Sequence, residues 1–180
     1  MLVKLVMHIY EGLKEYLASN DYQYMHQYAK SCLHYSRTLL EKNEKLKYLN
    51  KALEIAIVSK SQIETKLNSS TNKFINITFA HVQYTLATIY SEICETESYN
   101  NIEHIEWAVE YVMVAISSPY NSDDYKRDNS SSIGIKKFID YLELGLGQNK
   151  FFEKNTQETI LSIINLARNI LSNDNWENYQ

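Results

Sequence analysis

The most constraining feature of this 180-residue chain is its shortage of proline and glycine. It contains one proline, Pro119, and four glycines, of which only Gly12 precedes that proline. Proline within a helix removes a backbone hydrogen bond, and glycine loses more conformational entropy than other residues when a helix forms. Glycine-rich phosphate loops, nucleophile elbows and dinucleotide turns are also absent. The sequence therefore predicts an all-α fold without a recognisable catalytic motif.

Apolar residues recur at helical spacing in seven segments that are separated by polar breaks. We therefore predict an array of about seven antiparallel helices, forming one domain over residues 1–172, with a polar tail at 173–180. The predicted helices are 2 to about 19, 22–42, 46–66, 74–94, 102–117, 133–146 and 155–172. The fourth is apolar nearly all round, which is typical of a central, buried helix.

The ends of these helices follow from the residues between them. Asn20 or Asp21 is expected to cap the second helix, and a hinge near Asn43 is expected before the third. Polar residues at 68–72 and 119–132 predict two linkers. Two glycines are expected to end the sixth helix in the left-handed conformation, namely Gly145 and Gly147. The first helix carries its apolar residues on one stripe, which consists of Leu2, Leu5, Val6, Ile9, Leu13 and Leu17.

Charge and cysteine content exclude several classes of protein. Residues 1–60 carry a formal charge of +3 and residues 61–180 carry −7, a balance that argues against a nucleic-acid-binding protein. No stretch approaches the roughly 18 apolar residues of a membrane span, so we expect no membrane partner. Cys32 and Cys94 lie on apolar helix faces without a CxxC motif, which predicts reduced, buried thiols and a cytoplasmic protein.

Catalytic and metal-binding patterns were sought among the titratable residues. The five histidines form no HExxH, HxxxH or Cys/His pattern, although His26 and His34 lie two helical turns apart. Glu92 and Glu95 lack the histidine of a carboxylate-bridged di-iron bundle. The serines lack the strand-turn-helix setting of an acyl-transfer site. We therefore predict a non-enzymatic protein with no catalytic residue, metal or cofactor.

Tyrosine is the residue type that suggests a binding surface. The chain has 15 tyrosines, and several in its first half neighbour basic residues on the predicted helices. A tyrosine ring offers contact area and a hydroxyl donor at small entropic cost, which suits a peptide groove. We therefore predict a groove that includes Tyr24, Tyr28, Lys30 and Arg37. A general bias of this sequence toward Asn, Lys, Tyr and Ile is the alternative explanation.

Two families of antiparallel helical hairpins show partial similarity to the chain. The second half contains residues that resemble one tetratricopeptide repeat: Tyr84, Leu86, Ala87, Tyr90, Ala108, Tyr111, Ala115 and Pro119. The 34-residue period of that repeat does not recur elsewhere. This resemblance implies helical hairpins that bind a peptide, and it is the second choice.

The order of matches favours the 14-3-3 family. The segment from Tyr16 to Tyr24, YLASNDYQY, resembles the family's YLKMKGDYYRY segment. Further similar segments follow in the family's order over residues 16–144, namely 51–60, 87–93, 108–116 and 124–144. The chain is thus similar to a divergent 14-3-3 protein, and the resemblance implies helical hairpins around a phosphopeptide groove.

The residues with which that family holds its phosphopeptide are not kept. Its Arg-Tyr pair aligns with Tyr24 and Met25, and the peptide-binding Asn of its fourth helix aligns with Thr85. The Asn and Trp of its last helix align with Tyr141 and Gly145. The resemblance therefore adds Thr85 and Tyr141 to the predicted groove residues, and leaves open whether phosphate is recognised.

Together these observations predict an adaptor or scaffold that binds a protein or peptide partner in a helical groove. The alternative is a structural helical subunit of a larger complex that has no peptide ligand and whose exposed tyrosines are buried by neighbouring subunits. An enzyme with a helical-bundle site is a third hypothesis, which the failed motif searches disfavour.

Overall fold

A computed structural model describes residues 2–13, 21–67, 73–117, 129–148 and 154–173, and every regular element in these ranges is an α-helix. The prediction of an all-α chain with about seven helices is confirmed. The helices are α1 (Leu2–Leu13), α2 (Tyr22–Ser36), α3 (Lys42–Leu67), α4 (Lys73–Thr96), α5 (Ile102–Ser117), α6 (Asn129–Gly147) and α7 (Lys154–Asn173). The predicted linker at 68–72 and the end of the predicted tail, 174–180, lie outside the described residues.

Helices α2 and α3 form a hairpin whose turn lies earlier than the sequence suggests. Asp21 caps α2 as predicted, since its carboxylate accepts hydrogen bonds from the backbone N–H groups of Gln23 and Tyr24 at 3.0 and 3.1 Å. The helix was expected to reach Lys42, but it ends at Ser36. The last carbonyls of α2 instead accept hydrogen bonds from groups in the turn at 37–41. These donors include the N–H and the hydroxyl of Thr38.

The third helix begins at a carboxylate cap. The sequence analysis expected a hinge near Asn43 and did not identify this cap. The Glu41 side chain accepts hydrogen bonds from the N–H groups of Asn43 and Glu44 at 3.0 and 2.6 Å. These hydrogen bonds lower the pKa of the Glu41 carboxyl. The break between the helices therefore lies at 37–41, before Asn43, and α3 begins one turn earlier than the predicted Leu46.

Helix α4 lies at the centre, as its apolar character predicted, and packs against α3, α5 and α6. One core cluster joins it to α2 and α3, with Leu33, Leu49 and Ile63 fully buried. A second cluster lies on its other side, with Phe138 of α6 and Ile163 of α7 in its interior. The two clusters meet at Leu53 and Tyr111, which pack against both, so α4 separates two halves of a continuous core.

Helix α1 does not bury the apolar stripe that its sequence suggests. Met7 is its fully buried side chain, whereas Leu5, Ile9 and Leu13 are 56%, 51% and 40% exposed. Polar contacts set this rotation, because Lys51 of α3 forms an ion pair with Glu11. Ring contacts between tyrosines of α1 and α2 favour the same rotation of α1. Among its described side chains, the predicted apolar stripe of α1 is therefore largely exposed.

The late helices differ from the sequence expectation at their ends. Helix α6 begins at Asn129, one turn before the predicted Ile133, which shortens the predicted loop at 119–132. Its end also differs, because it continues to Gly147, and no described glycine has a positive φ. The expectation of a left-handed glycine cap is therefore wrong. A glycine within a helix is tolerated at a cost of about 1 kcal/mol, so Gly145 does not stop α6.

Two non-glycine residues carry the left-handed conformation instead. Ser98 and Tyr99 have φ values of 58° and 56° in the turn between α4 and α5. The Tyr99 N–H donates to the Cys94 carbonyl at 2.8 Å, which closes the end of α4. Helix α5 then starts at Ile102, as predicted, with the Asn101 side chain accepting a hydrogen bond from the Glu103 N–H at 3.1 Å. Within the described helices, none is both long enough and apolar enough to span a membrane.

Candidate functional site

Two polar stripes face each other where α2 and α4 run side by side. On α2 the stripe consists of His26, Lys30, His34 and Arg37, and on α4 it consists of His81, Thr85 and Glu92. Residues spaced by three, four and seven positions share one helix face. Contacts pair His26 with Thr85 and Arg37 with Glu92, so the two helices are parallel here. We call these seven residues the basic seam.

The first end of the basic seam is a buried histidine pair. The Nε2 atom of His26 lies 2.9 Å from the Thr85 hydroxyl, and its ring centroid lies 6.4 Å from that of His81. Burial lowers the pKa of His26 to about 3 and that of His81 to about 4. The positive charge of Lys30 adds to both decreases. The two histidines are therefore neutral at neutral pH.

The second end of the basic seam is an ion pair. The Nε of Arg37 donates to Oε1 of Glu92 at 2.7 Å, and the Arg37 guanidinium also lies 3.4 Å from Nδ1 of His34. Arg37 is half-buried and Glu92 is buried. The second carboxylate oxygen of Glu92, Oε2, is buried and has no hydrogen-bond partner within the described part of the chain. This end is therefore held together by charge.

Between the two ends, the surface of the basic seam carries partly exposed cationic and imidazole groups. Lys30 and His34 are both half-buried. A lysine is positively charged at neutral pH, and a half-buried histidine can donate or accept a hydrogen bond. This arrangement suits an anionic group, such as a carboxylate or a phosphate, that reaches the surface between α2 and α4.

The structure brings together three of the six residues that the sequence predicts for the groove. Lys30, Arg37 and Thr85 belong to the basic seam. Thr85 is 2% exposed, however, and its hydroxyl also donates to the His81 carbonyl at 3.0 Å. It therefore positions His26 and offers almost no surface to a partner.

The other three predicted groove residues lie elsewhere. Tyr24 and Tyr28 are 9% and 2% exposed, and their rings lie 5.4 and 5.9 Å from Tyr10 of α1. Tyr141 stacks on Tyr99, with ring centroids 3.6 Å apart, at the other side of the molecule. These tyrosines pack helices against one another, so in this structure they do not line one groove with the basic residues.

Four residues of the basic seam were not predicted as site residues: His26, His34, His81 and Glu92. The sequence search compared His26 with His34 along one helix, but the ring nearest to His26 is that of His81, 55 residues away. A usable signal exists in the spacing. Polar residues at i, i+4 and i+11 occur on both α2 and α4.

Among the described residues, no group of three or more His, Cys, Asp or Glu side chains could hold a metal ion. Comparison of the chain with protein-family models, with curated proteins and with solved structures gave no match.

Proposed function

We propose that this protein is a non-enzymatic interaction module whose basic seam binds an acidic or phosphorylated segment of a partner protein. The observation that supports this most directly is the stripe of four basic residues along one face of α2. Its charged members, Lys30 and Arg37, would be unfavourable between two packed helices unless they faced water or an anion. At the Arg37 end, that anion is the Glu92 carboxylate.

Two neighbouring acidic groups of a peptide would fit the accessible part of the basic seam. Along α2, residues 30 and 34 are four positions apart, which corresponds to about 6 Å of helix. A peptide in extended conformation covers that distance with about two residues. Partly exposed Lys30 and His34 would then contact its acidic groups, while Arg37 stays with Glu92. The proposal is more specific than the predicted groove, because it identifies the binding surface and the charge of the ligand.

The 14-3-3 resemblance is kept as a hypothesis about the class of ligand. The tyrosines are not proposed to contact that ligand. The proposal also includes a cytoplasmic location. Cys32 and Cys94 are free and buried, and burial raises the pKa of each thiol to about 12. Buried, unreactive thiols are compatible with a reducing compartment.

A peptide array tests the ligand class. The array carries sets of four peptides that differ at one position only, which is serine, phosphoserine, glutamate or lysine. We expect binding of the phosphoserine and glutamate members and no binding of the serine and lysine members. A phosphoserine member that binds more tightly than its glutamate counterpart assigns the site to phosphate, because a phosphate carries more charge and more acceptor oxygens.

Variants locate the binding site. Lys30→Gln with His34→Gln removes the accessible cation and imidazole, and the dissociation constant of the best acidic peptide should rise about tenfold or more. The control is Lys47→Gln, which removes an exposed lysine of α3. Arg37 is left intact because Glu92 needs it. Equal binding by the Lys30→Gln, His34→Gln protein, or the absence of any acidic peptide among the bound ones, would contradict the proposal.

The second candidate, a structural subunit of a larger complex, is favoured by the exposed face of α1. Leu5, Ile9 and Leu13 lie at i, i+4 and i+8 and are all exposed. An apolar stripe of this kind is typical of a surface that another chain covers. Light scattering of the purified protein distinguishes the candidates, since a monomer that is stable alone supports the interaction module and aggregation without partners supports the subunit.

A further inference from the structure

A second surface, on α5, has the opposite charge and is unrelated to the basic seam. Glu103, Glu106 and Glu110 are exposed on this helix, and none of them has an ion pair within the described part of the chain. They occupy positions i, i+3 and i+7, so their carboxylates share one face and span about 10 Å. Three neighbouring carboxylates repel one another, and a cationic partner would relieve that repulsion.

The acidic stripe borders an exposed aromatic group. Trp107 is 47% exposed, and its ring stacks on Tyr90 of α4 with centroids 6.4 Å apart and planes at 21°. Tyr90 in turn stacks on Tyr111 with centroids 5.2 Å apart. On the far side, the ammonium of Lys60 lies 5.5 Å from the centre of the Tyr111 ring. Trp107 is therefore held in place while half of its surface faces water.

Further apolar side chains extend this surface on both sides of Trp107. Val114 follows it by seven residues on the same side of α5 and is 41% exposed. Ile57 of α3 is 43% exposed and lies three residues before Lys60, on the side of α3 that faces Tyr111. We call Ile57, Glu103, Glu106, Trp107, Glu110 and Val114 the acidic-aromatic face. It combines an apolar strip with a row of carboxylates along one edge.

We propose that the acidic-aromatic face binds a basic amphipathic helix of a partner protein. The apolar side of that helix would cover Trp107, Val114 and Ile57, and its lysines or arginines would pair with the three glutamates. Charge complementarity determines the class of partner, because the accessible charge of this face is negative. A helix fits better than an extended strand, since cations at i, i+3 and i+7 repeat at the same spacing as the glutamates of α5.

This inference is independent of the proposed function, because it concerns another surface and a partner of opposite charge. An exposed aromatic anchor beside complementary charges is the usual composition of a binding hot spot. A nucleic acid would be repelled by the carboxylates. A second copy of this chain is the competing occupant, since α1 also exposes apolar residues, and the experiment below distinguishes it.

The test uses two labelled synthetic helices of equal length, one with leucines along one face and lysines beside them, and one with glutamates in place of the lysines. Fluorescence anisotropy with the full chain measures their dissociation constants. We expect the lysine helix to bind and the glutamate helix not to bind. Glu106→Gln with Glu110→Gln should weaken the lysine helix about fivefold to tenfold, and Trp107→Ala should weaken it about thirtyfold.

Two controls make the result specific to this face. Asp140→Asn with Glu158→Gln removes the same net charge from exposed positions on α6 and α7, and should leave the dissociation constant unchanged. Lys30→Gln with His34→Gln should also leave it unchanged, which separates this proposal from the basic seam. Circular dichroism confirms that each variant is folded.

Four results of the binding measurements would overturn the proposal. These are failure of the lysine helix to bind, equal binding of the glutamate helix, an equal loss in the Asp140→Asn, Glu158→Gln control, and unchanged binding in the Trp107→Ala protein. A dimer of the wild-type protein that dissociates in the Glu106→Gln, Glu110→Gln protein would assign the face to a second copy of the chain, and would overturn the proposal as well.

Discussion

The guanidinium of Arg37 and the carboxylate of Glu92 form an ion pair that ties the end of α2 to α4, across 55 positions of sequence. The side chain of Glu92 is 7% exposed and that of Arg37 is 24% exposed. Removing one charge leaves the other buried and unpaired, whereas replacing both with apolar side chains can be nearly neutral. This pair therefore fixes how α2 lies against α4 more than it adds net stability.

Arg37→Met should lower the free energy of unfolding by about 2–3 kcal/mol, because the Glu92 carboxylate then stays buried without its partner. The double change Arg37→Met with Glu92→Met should return it to within about 1 kcal/mol of the wild-type value. Urea denaturation measures both. A double variant that is as unstable as the single one would show that the pair contributes net stability of its own.

Stability should fall as the pH drops from about 7 to about 4, because of the two buried histidines. Burial lowers the pKa of His26 to about 3, so the unfolded chain binds a proton near pH 6.5 that the folded chain does not bind until far lower. The neutral form is thus favoured in the folded state, and its advantage is lost as pH decreases. Between pH 7 and pH 5, protonation of His26 in the unfolded chain should by itself lower the free energy of unfolding by about 2 kcal/mol.

His26→Gln tests this dependence, because glutamine can bond to Thr85 without titrating. The difference in unfolding free energy between pH 7 and pH 5 should shrink by about 2 kcal/mol in this variant. His8→Gln is the control, since His8 is an exposed histidine of α1. An unchanged pH dependence in the His26→Gln protein would show that His26 is not buried in its neutral form.

Lys51 should hold α1 in place. It forms an ion pair with Glu11, and its ammonium lies 5.5 Å from the centre of the Tyr28 ring. The hydrogen bond from Lys51 lowers the pKa of the Glu11 carboxyl. Lys51→Met should therefore increase amide hydrogen exchange in residues 6–13 about tenfold, while exchange in α4 stays unchanged.

The matched control for Lys51 is Lys47→Met, one turn earlier on α3. Lys47 is 65% exposed and pairs with Glu44 within its own helix, so its loss should leave the exchange of α1 unchanged. Lowering the pH through the folded-state pKa of Glu11, which lies below its ordinary value of 4.5, should have the same effect as Lys51→Met, because protonation of Glu11 removes the charge that the lysine contacts. Equal exchange in both lysine variants would contradict the role of the ion pair.

Ser98→Gly should stabilise the protein by about 1 kcal/mol. Ser98 has a φ of 58°, a conformation that glycine adopts without the steric cost of a Cβ, and its side chain is exposed. Tyr99→Gly at the neighbouring residue should destabilise the protein instead, since it removes the ring that stacks on Tyr141. Thermal unfolding of both variants tests the pair, and a lower midpoint for the Ser98→Gly protein would contradict the argument.

Much of the helical framework follows from short-range signals. The limits of α5 were predicted correctly because Asn101 supplies a cap at one end and Pro119 prevents a long continuation at the other. Asp21, one of the two predicted caps of α2, was predictable because its side chain also caps the start of a helix. Helix ends that depend on less specific residues were wrong by about a turn, as at Asn129 and Lys42.

The candidate site was only partly predictable. Lys30 and Arg37 were selected from the sequence because basic residues cluster near tyrosines, and they do lie on one stripe. Their neighbours His81 and Glu92 lie more than 50 residues away, and a one-dimensional pattern does not say which helix lies opposite. The tyrosines were assigned to the same groove because ring chemistry suits binding, but burial against Tyr10 gave Tyr24 and Tyr28 a packing role.

The sequence by itself determined the helical class, the approximate number of helices and the central position of α4, because proline, glycine and apolar spacing act within a few residues of the chain. Only the tertiary structure decided the rotation of each helix. The spacing of Leu5, Ile9 and Leu13 marks one face of α1, but the contacts of Tyr10 and Glu11 turned that face outward. The partners of His26 and Arg37 were decided in the same way, because packing between distant segments selects one of several compatible helix faces.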